Sequence, residues 1–390
     1  MTTPKVATAN AAAVIVPAWQ DNAWYDEQLF ADNDLYFDAL LASIDHAQHD
    51  IVLATYIFEL DALGREVIDR LAQARARRVR VRVLFDGVGS MEAADKIAHK
   101  LEEADIPVKI YHPLPWQPES YRRGLRHSSW LGSLVLSMLK INQRHHAKIC
   151  IVDNFILWCG SQNISADHLS ETRGGSGWRD YGAKVSGGNV EAVADTFDDL
   201  WEYRRPRIGR GLFHYYWNNL TELSRQRKNR LMAQRIANAR QRVWIVNPYF
   251  SPTRTIIRAI IRASARGADV RLIVPHKSDL EFFPLLTATY YEELIRNEVR
   301  IFEYLPSILH GKLLIVDDFC LIGSTNLNHR SLLHDVEFDI ILDHSQSLLT
   351  AEQLFLTDQN KSREVKAKYV RLLGQRRWLG WIPWLIRYWL

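Results

Sequence analysis

The sequence of 390 residues is poor in cysteine, contains no long apolar run and has only a small excess of positive charge. Its three cysteines, an odd number, all lie in apolar segments, which favours core packing in a reducing compartment over a disulfide or metal role. No uninterrupted apolar stretch reaches the roughly 20 residues that a membrane-spanning helix needs. The first residues lack a basic lead-in, so a signal peptide is not expected.

What remains is the composition of an ordinary globular protein, with 47% hydrophobic and 24% charged residues. The length suits one large domain or two domains of usual size. A net charge of +4 favours anionic partners without choosing between lipid and nucleic acid.

One pattern occurs twice, in residues 144–163 (RHHAKICIVDNFILWCGSQN) and 309–326 (LHGKLLIVDDFCLIGSTN). Each copy reads His-x-Lys-x4-Asp, followed by Gly-Ser-x-Asn after a gap of six or five residues. The paired polar positions are His146 and His310, Lys148 and Lys312, Asp153 and Asp317, Ser161 and Ser324, and Asn163 and Asn326. Two copies 164 residues apart (310 minus 146) indicate a duplicated chain with one shared site.

The order of apolar segments also repeats. In the first half we expect strands at 51–58, 79–86 and 108–111 and helices at 35–48, 61–78 and 91–105. In the second half we expect strands at 242–250, 269–275 and 299–304 and helices at 255–266 and 280–297. This alternation predicts an α/β protein of two similar halves, each a mostly parallel β-sheet flanked by helices. A pseudo-twofold axis would place one active site at their interface.

The expected domains are an N-terminal arm (1–22), a first half (23–205), a linker (206–222), a second half (223–375) and a Trp-rich amphipathic tail (376–390). Between Pro113 and His146 the first half has 32 residues (114–145), whereas between Tyr304 and His310 the second half has five (305–309). The 27 surplus residues form an insertion that must lie at the rim of the site.

The motif spacing predicts phosphoryl chemistry. Side chains at i and i+2 share one face of a strand, so each half presents an imidazole beside an ammonium group, and a hydroxyl beside an amide. Two cations suit a phosphoryl group, and two histidines facing each other across phosphorus supply a nucleophile and a leaving-group acid. No metal or cofactor is expected. Asp153 and Asp317 are seven residues from their histidines, so they should point away and stabilise turns.

The doubled motif resembles the paired HKD motifs of the phospholipase D superfamily, over roughly residues 23–375. Three further segments resemble bacterial cardiolipin synthases of the short, peripheral type: NPYFSP at 247–252, GWRD at 177–180, and NLNHRS at 326–331 followed by Glu337. Asn328 stands where that family usually has Asp.

The resemblance implies a covalent phosphohistidine. It implies His146 as nucleophile and His310 as acid and base, although the near-symmetric motifs leave this order open. Asp180 and Glu337 match carboxylates that hold the imidazoles in one tautomer; the alternative for both is a surface salt bridge. The motif's catalytic set is His146, Lys148, Asp153, His310, Lys312 and Asp317, and Ser161, Asn163, Ser324 and Asn326 would bind phosphate or support the site.

The substrate is predicted from segments outside the motifs. The insertion and the tail combine Trp, Leu and Arg, typical of interfacial segments on anionic bilayers, or alternatively of amphipathic core helices. Arginine clusters at 75–82, 204–210 and 225–242 could serve a nuclease or be solvated helix faces. We expect a cardiolipin synthase on the cytoplasmic side of the inner membrane, with phosphatidylglycerol and the membrane surface as partners and no nucleic acid. The alternatives are a phospholipase D-type phosphodiesterase acting on phospholipid or nucleic acid, and a lipid-binding scaffold.

Overall fold

A computed structural model describes residues 24–113, 119–120, 123–124, 143–202, 204 and 215–366. The N-terminal arm, most of the insertion, most of the linker and the Trp-rich tail lie outside the described residues. Within these ranges the chain forms two β-sheets flanked by helices, which confirms the predicted α/β class with two similar halves.

The first half builds a seven-stranded sheet in the order β1-β7-β6-β5-β2-β3-β4. Its strands are β1 (Asp26–Phe30), β2 (Asp50–Thr55), β3 (Arg80–Asp86), β4 (Val108–Tyr111), β5 (Ile149–Val152), β6 (Ile156–Gly160) and β7 (Gly182–Ser186). Its helices are α1 (Asn33–His46), α2 (Ala62–Ala76), α3 (Ala94–Glu103) and α4 (Asn189–Trp201). Asp32 and Asp61 cap α1 and α2 by accepting backbone N–H groups, which explains where these helices begin.

The second half builds an eight-stranded sheet in the order β15-β11-β10-β9-β12-β13-β14-β8. Its strands are β8 (Tyr216–Asn218), β9 (Arg242–Val246), β10 (Asp269–Pro275), β11 (Arg300–Tyr304), β12 (Leu313–Val316), β13 (Phe319–Gly323), β14 (Phe338–Leu342) and β15 (Ser362–Glu364). Its helices are α5 (Glu222–Ala237), α6 (Arg254–Ala265), α7 (Phe283–Ala288), α8 (Tyr291–Arg296), α9 (His329–Leu333) and α10 (Ser345–Asn360).

The prediction that the sheets are mostly parallel is wrong, because most strand pairs are antiparallel. Only β2, β3 and β4, and likewise β9, β10 and β11, pair in parallel, through the helical crossovers that the sequence indicates. The other strand pairs of both sheets are antiparallel, so the sheets are mixed. The reason is local, because the motif strands β5 and β6, like β12 and β13, are joined by tight hairpins that force antiparallel pairing.

These hairpins also explain why the two motif copies differ by one residue. The first hairpin has a three-residue loop at 153–155, with Asp153 and Asn154 at positive φ. The second has a two-residue loop at 317–318, with Asp317 at positive φ. Asp and Asn tolerate this conformation better than most residues, which accounts for their presence there.

The expected single helix at 280–297 is instead two short helices, α7 and α8. Pro284 lies in the first turn of α7, where its missing N–H costs nothing. The Thr289 hydroxyl donates to the Leu286 carbonyl at 2.7 Å and so helps to end α7.

The two halves share one apolar core. It takes alternate residues of both sheets, such as Ile151 from β5 and Ile315 from β12, together with Phe197 of α4 and Phe355 of α10. The opposite face of each sheet packs on its own helices. Within the described part of the chain, no helix has both the length and the apolar character to cross a bilayer.

Candidate active site

The motif histidines lie where the two halves exchange backbone hydrogen bonds. The His146 amide donates to the Val336 carbonyl at 2.8 Å, and the Val336 amide returns a bond to the Arg144 carbonyl at 2.7 Å. In the second copy the His310 amide donates to the Arg179 carbonyl at 2.8 Å. Each histidine segment therefore lies against the segment that precedes the other half's carboxylate.

This pairing brings each imidazole to the carboxylate of the opposite half. Nδ1 of His146 lies 3.0 Å from Oε2 of Glu337, and Nδ1 of His310 lies 2.8 Å from Oδ1 of Asp180. All four side chains are buried. The alternative of surface salt bridges is therefore wrong for Asp180 and Glu337.

The carboxylates determine the tautomer of both histidines. An ionised carboxylate only accepts, so Nδ1 carries the proton and donates it to the bond. Nε2 is then left with its lone pair, which a nucleophile or proton acceptor needs. For His310, the ammonium group of Lys312 lies 3.1 Å from Nε2 and donates to it, in agreement with this tautomer.

The two lysines are buried beside their own histidines. Nζ of Lys148 donates to the His146 carbonyl and Nζ of Lys312 to the His310 carbonyl, each at 2.7 Å. Burial, reinforced by the charge of Lys312, lowers the pKa of Lys148 to about 7. Burial likewise lowers the pKa of Lys312 to about 8, although Asp180 and Glu337 oppose it. A phosphoryl anion between these groups would restore their positive charge.

The histidines themselves are held neutral. Burial, then the charges of Lys148 and Lys312, lowers the pKa of His146 well below its usual range. Burial and Lys312 lower the pKa of His310 to about 4, against the opposing influence of Asp180. Both imidazoles therefore have unprotonated Nε2 atoms at neutral pH.

The motif serines lie behind the carboxylates. Oγ of Ser161 donates to Oδ1 of Asp180 at 2.6 Å, and Oγ of Ser324 donates to Oε2 of Glu337. Both hydroxyls are thus hydrogen-bonded to the carboxylates that orient the histidines. Asn163 accepts the Ile57 amide at Oδ1, and Asn326 is buried, with no hydrogen-bond partner at Oδ1 among the described residues.

The two carboxylates differ in their second partner. Asp180 accepts at Oδ2 from Nδ1 of the buried His168 at 2.7 Å, whereas Glu337 accepts at Oε1 from the Ser331 hydroxyl. Nε2 of His168 accepts a hydrogen bond from the backbone N–H of Asn163 at 3.0 Å, which places the His168 proton on Nδ1.

The Ser331 hydroxyl accepts the backbone N–H of Asn326 at 3.0 Å, just as His168 accepts that of Asn163. His168 and Ser331 are therefore structural equivalents. Each lies five residues after its motif asparagine. The sequence prediction did not include His168, although aligning the two copies at Asn163 and Asn326 would have found it.

The carboxylates also differ in acidity. Burial tends to raise the pKa of Asp180, but the charges and hydrogen bonds of His168 and His310 outweigh it and hold this pKa well below its usual range. Burial raises the pKa of Glu337 against the opposing charges of Lys228 and Lys148 and the hydroxyl bonds of its serines. Asp180 is therefore the more firmly ionised of the two.

His168, Asp180 and His310 also have the spacing of a metal-ligand group in the described part of the chain. Their nitrogen and oxygen atoms already bond to one another, to the Asn163 amide and to Lys312. We interpret the group as a hydrogen-bond chain, because a metal ion would have to displace these bonds and lie beside an ammonium group.

Asp153 and Asp317 lie outside the site, so their assignment to the catalytic set is wrong. The Asp153 carboxylate accepts the amides of residues 48, 49 and 50, where β2 begins. The Asp317 carboxylate accepts those of residues 240, 241 and 242, where β9 begins. Both anchor a hairpin to the neighbouring strand, because a side chain seven residues along a strand faces away from the histidine.

Aromatic rings line both sides of the cavity and were not predicted. Tyr56, just after β2, packs on His146 with ring centroids 4.9 Å apart. Tyr249, three residues after β9, lies 6.2 Å from His310, and Trp178 lies 5.4 Å from it. These rings place apolar surface beside the imidazoles, which limits the access of water to them.

A buried charge network holds the segment before His146. The Asp335 carboxylate accepts the Arg144 amide at 3.1 Å and forms an ion pair with Arg330 at 3.3 Å. The Asp86 carboxylate accepts the His145 amide at 2.9 Å. Burial raises the pKa of both Asp86 and Asp335 to about 6, although arginines oppose the shift.

Comparison with known proteins identifies the family. A family model described as cardiolipin synthase, PLD-like domain, matches residues 40–201 and 232–359. The chain belongs to this family. Each matched segment contains one motif histidine and the carboxylate that bonds the histidine of the other half, so the family model spans the site just described.

Two members of the cardiolipin synthase family illustrate the relationship. Cardiolipin synthase 1 of Bacillus cereus is 27% identical over 365 residues, which cover 87% of this chain and 67% of the relative. Cardiolipin synthase A of Pseudomonas putida is 26% identical over 366 residues, which cover 90% of this chain and 73% of the relative.

Solved structures agree with the family fold. Phosphatidylserine synthase of Haemophilus influenzae superposes with a TM-score of 0.68 at 14% identity, covering 95% of this chain and 97% of that one. Polyphosphate kinase of Porphyromonas gingivalis superposes with a TM-score of 0.56 at 12% identity, covering 90% of this chain and 55% of that one. At these identities the likeness concerns the fold alone.

Proposed function

We propose that the protein is a cardiolipin synthase that transfers a phosphatidyl group from one phosphatidylglycerol to a hydroxyl of another. The observation that carries the proposal is the pair of buried histidines, each oriented by a carboxylate of the opposite half, between two buried lysines. The names of the relatives support a phospholipid as the substrate class.

In the first half-reaction Nε2 of His146 attacks the phosphorus of phosphatidylglycerol. The bound phosphodiester anion and the ionised Asp180 favour the imidazolium form of His310, which therefore takes up a proton at Nε2 from solvent as the substrate binds. The bond from phosphorus to the glycerol oxygen breaks, and His310 gives this proton to that oxygen, so that free glycerol leaves. Lys148 and Lys312 stabilise the negative charge on the non-bridging oxygens. The product is a phosphatidyl group on Nε2 of His146.

In the second half-reaction His310, now neutral, takes the proton of a glycerol hydroxyl of another phosphatidylglycerol. That oxygen attacks phosphorus, the bond to His146 breaks, and cardiolipin leaves. Water in place of the lipid hydroxyl would give phosphatidic acid. The aromatic sides of the cavity favour the lipid by excluding water.

The carboxylates support an assignment of roles to the two histidines. An acid and base must become an imidazolium during the reaction, and the firmly ionised Asp180 stabilises that charge on His310. The nucleophile must be neutral, and the less acidic Glu337 orients His146 with less stabilisation of a charge. We therefore assign attack to His146 and proton transfer to His310.

The membrane side of the proposal rests on sequence composition. The insertion and the tail carry the Trp, Leu and Arg of interfacial segments, so we propose peripheral binding to the cytoplasmic face of the inner membrane. We also propose that the halves divide at residues 206–222. Nucleic acid is not a proposed partner.

The test is to incubate the protein with phosphatidylglycerol vesicles and to follow cardiolipin and free glycerol by mass spectrometry. We expect equal amounts of both, and we expect no turnover in His146→Ala or His310→Ala. In samples quenched with denaturant at alkaline pH, where the phosphorus–nitrogen bond survives, the phosphohistidine should be found on His146. Phosphatidic acid as the main product, or cleavage of DNA or RNA without any lipid product, would replace the transferase by the phosphodiesterase alternative. Unchanged lipid binding with no turnover would indicate a scaffold.

A further inference from the structure

A groove of about 630 Å³ runs between α5 and α6, outside the catalytic cavity. Its basic rim is formed by Arg230 of α5 and by Arg258 and Arg262 of α6, with amide and hydroxyl side chains beside them. Its floor is apolar and consists of Ala233, Ala237, Ile256 and Ala259. No acidic residue is among the described residues that line it.

The arginines of α6 destabilise the helix by repelling one another. Arg254, Arg258 and Arg262 follow one another at i, i+4 spacing, and like charges at this spacing repel. Arg254 is compensated by Glu293 at 2.8 Å. Among the residues that the structure describes, Arg258 and Arg262 have no carboxylate partner, and Arg230 adds a third cation from across the groove. An anion in the groove would relieve this repulsion.

The apolar floor distinguishes the groove from a simple basic surface. The alanines keep the helices close and leave room above them, so the groove has a basic edge beside an apolar bed. An anionic amphiphile fits both features, with its phosphate at the arginines and its hydrocarbon part on the floor.

The position of the groove relates it to the site. Helix α9 contributes Leu333 to the lining of the groove and Ser331 to the hydrogen bond with Glu337. One short helix therefore connects the groove with Glu337 of the active site.

Other occupants fit less well. The Trp-rich tail at 376–390 contains three arginines and no acidic residue, so it would be repelled by the rim. Nucleic acid would need aromatic rings for base stacking, and the described lining residues include none.

We propose that this groove is a second, non-catalytic site for an anionic phospholipid. The phosphate lies between Arg258, Arg262 and Arg230, and the glycerol and upper hydrocarbon part lie on the alanine floor. This site retains the protein on anionic membrane and requires no transfer chemistry, so it goes beyond the function proposed above.

The experiment compares two double variants of the full chain that remove equal charge from α6 and its C-terminal cap. Arg258→Gln with Arg262→Gln changes the groove, whereas Arg254→Gln with Arg266→Gln changes exposed arginines that do not line it. Flotation measures binding to phosphatidylcholine vesicles with and without phosphatidylglycerol. Cleavage of a soluble short-chain phosphodiester, unchanged in both variants, verifies that each has folded.

We expect the groove variant to lose about 25-fold in affinity for vesicles containing phosphatidylglycerol, from about fivefold for each arginine at an anionic surface. The control variant should lose less than about threefold. Equal losses in both variants, or no loss in the groove variant, would overturn the proposal, since binding would then follow general surface charge or other segments.

Two competitors distinguish the sources of the anion. Short-chain phosphatidylglycerol should release the wild-type protein from vesicles at concentrations where inorganic phosphate does not. Equal release by inorganic phosphate would make the groove a free-phosphate site and overturn the lipid assignment. Binding of a single-stranded oligonucleotide that disappears in the groove variant, with vesicle binding intact, would overturn it in favour of nucleic acid. None of these measurements depends on cardiolipin formation, so they stand apart from the test of the reaction.

Discussion

The two halves of the active site share a geometry but differ in the chemistry behind each imidazole. Both histidines donate from Nδ1 to a carboxylate of the opposite half, and both carboxylates accept a serine hydroxyl. Behind His310 the carboxylate is Asp180, held by a second histidine, His168. Behind His146 it is Glu337, held by the hydroxyls of Ser324 and Ser331.

This difference teaches how a duplicated chain obtains two distinct roles from one motif. The motif residues themselves are nearly the same in both copies, so they cannot separate a nucleophile from an acid. The residues around the carboxylates can, because they set how firmly each carboxylate stays ionised, with the pKa of Asp180 lowered and that of Glu337 raised. The four predictions that follow test this comparison.

The largest effect is expected from neutralising the carboxylates. Asp180→Asn should lower kcat about ten-thousandfold, because it loses both the tautomer control and the stabilisation of the His310 imidazolium. Glu337→Gln should lower kcat about a hundredfold, because orientation alone is lost. Steady-state kinetics with phosphatidylglycerol in mixed micelles provides the measurement. Equal losses of kcat in the two variants would contradict the different roles assigned to His146 and His310.

The next effect is a pH dependence that arises from the buried lysines. Their ammonium forms bind the phosphoryl group, so kcat/KM should be full below the lowered lysine pKa values of about 7 and about 8. It should fall about tenfold per pH unit between these two values and about a hundredfold per pH unit above both. A bound phosphoryl anion raises these pKa values, so kcat should fall only at higher pH. The two pH profiles, measured side by side, check this.

Lys148→Arg and Lys312→Arg compare the two halves directly, since arginine does not titrate in this range. Lys148→Arg should shift the upper limb of kcat/KM toward pH 8, while Lys312→Arg should leave it near pH 7. An upper limb unmoved by either substitution would mean that another group titrates.

A smaller effect is expected from His168→Ser, which replaces His168 by the residue type found at the equivalent position of the second half, Ser331. Loss of the His168 bond leaves Oδ2 of Asp180 buried with a weaker partner, so the pKa of Asp180 should rise. We expect kcat to fall about tenfold, KM to stay within about twofold, and the acid limb of the pH profile to move to higher pH.

The matched variant of the other half is Ser331→Ala, which removes a hydroxyl donor from Glu337 and should raise the pKa of Glu337 instead of that of Asp180. His168→Asn, which keeps a donor, should restore part of the activity. A lowered Tm with an unmoved acid limb would make His168 a structural residue only.

The smallest effect concerns the hairpin aspartates, where the halves should behave alike. Asp153→Ala and Asp317→Ala each remove a carboxylate that accepts three backbone amides, so the free energy of unfolding should fall by about 1–2 kcal/mol while kcat stays unchanged. Urea unfolding monitored by tryptophan fluorescence measures the change.

The pKa of each aspartate is lowered, because its backbone bonds outweigh the effect of partial burial. The stabilisation should therefore be full above the unfolded-state pKa of roughly 4 and be lost as the pH falls through the lowered folded-state pKa. A loss of kcat in either variant would return that aspartate to the catalytic set.

Local patterns predicted much of the fold because they depend on neighbours in sequence. The strands at 108–111 and 269–275 have the predicted bounds, and the βαβ order of both halves is confirmed. The proportion of parallel pairing was wrong, because the hairpins after the motif strands add antiparallel strands to each sheet. The position of Asp153 and Asp317 away from the site followed from strand alternation, although the family motif groups them with the catalytic residues.

The sequence by itself determined the duplication, the α/β class, and the histidine and lysine of each motif on one strand face, because spacing along a strand sets these directions. Only the tertiary structure decided which carboxylate serves which histidine. Asp180 is 34 residues from His146 in sequence but bonds His310, 130 residues away, because the halves exchange backbone hydrogen bonds at their interface. The tertiary structure also decided that His168 bonds Asp180. Hydrogen bonds between separate segments depend on packing and leave no regular spacing in the chain.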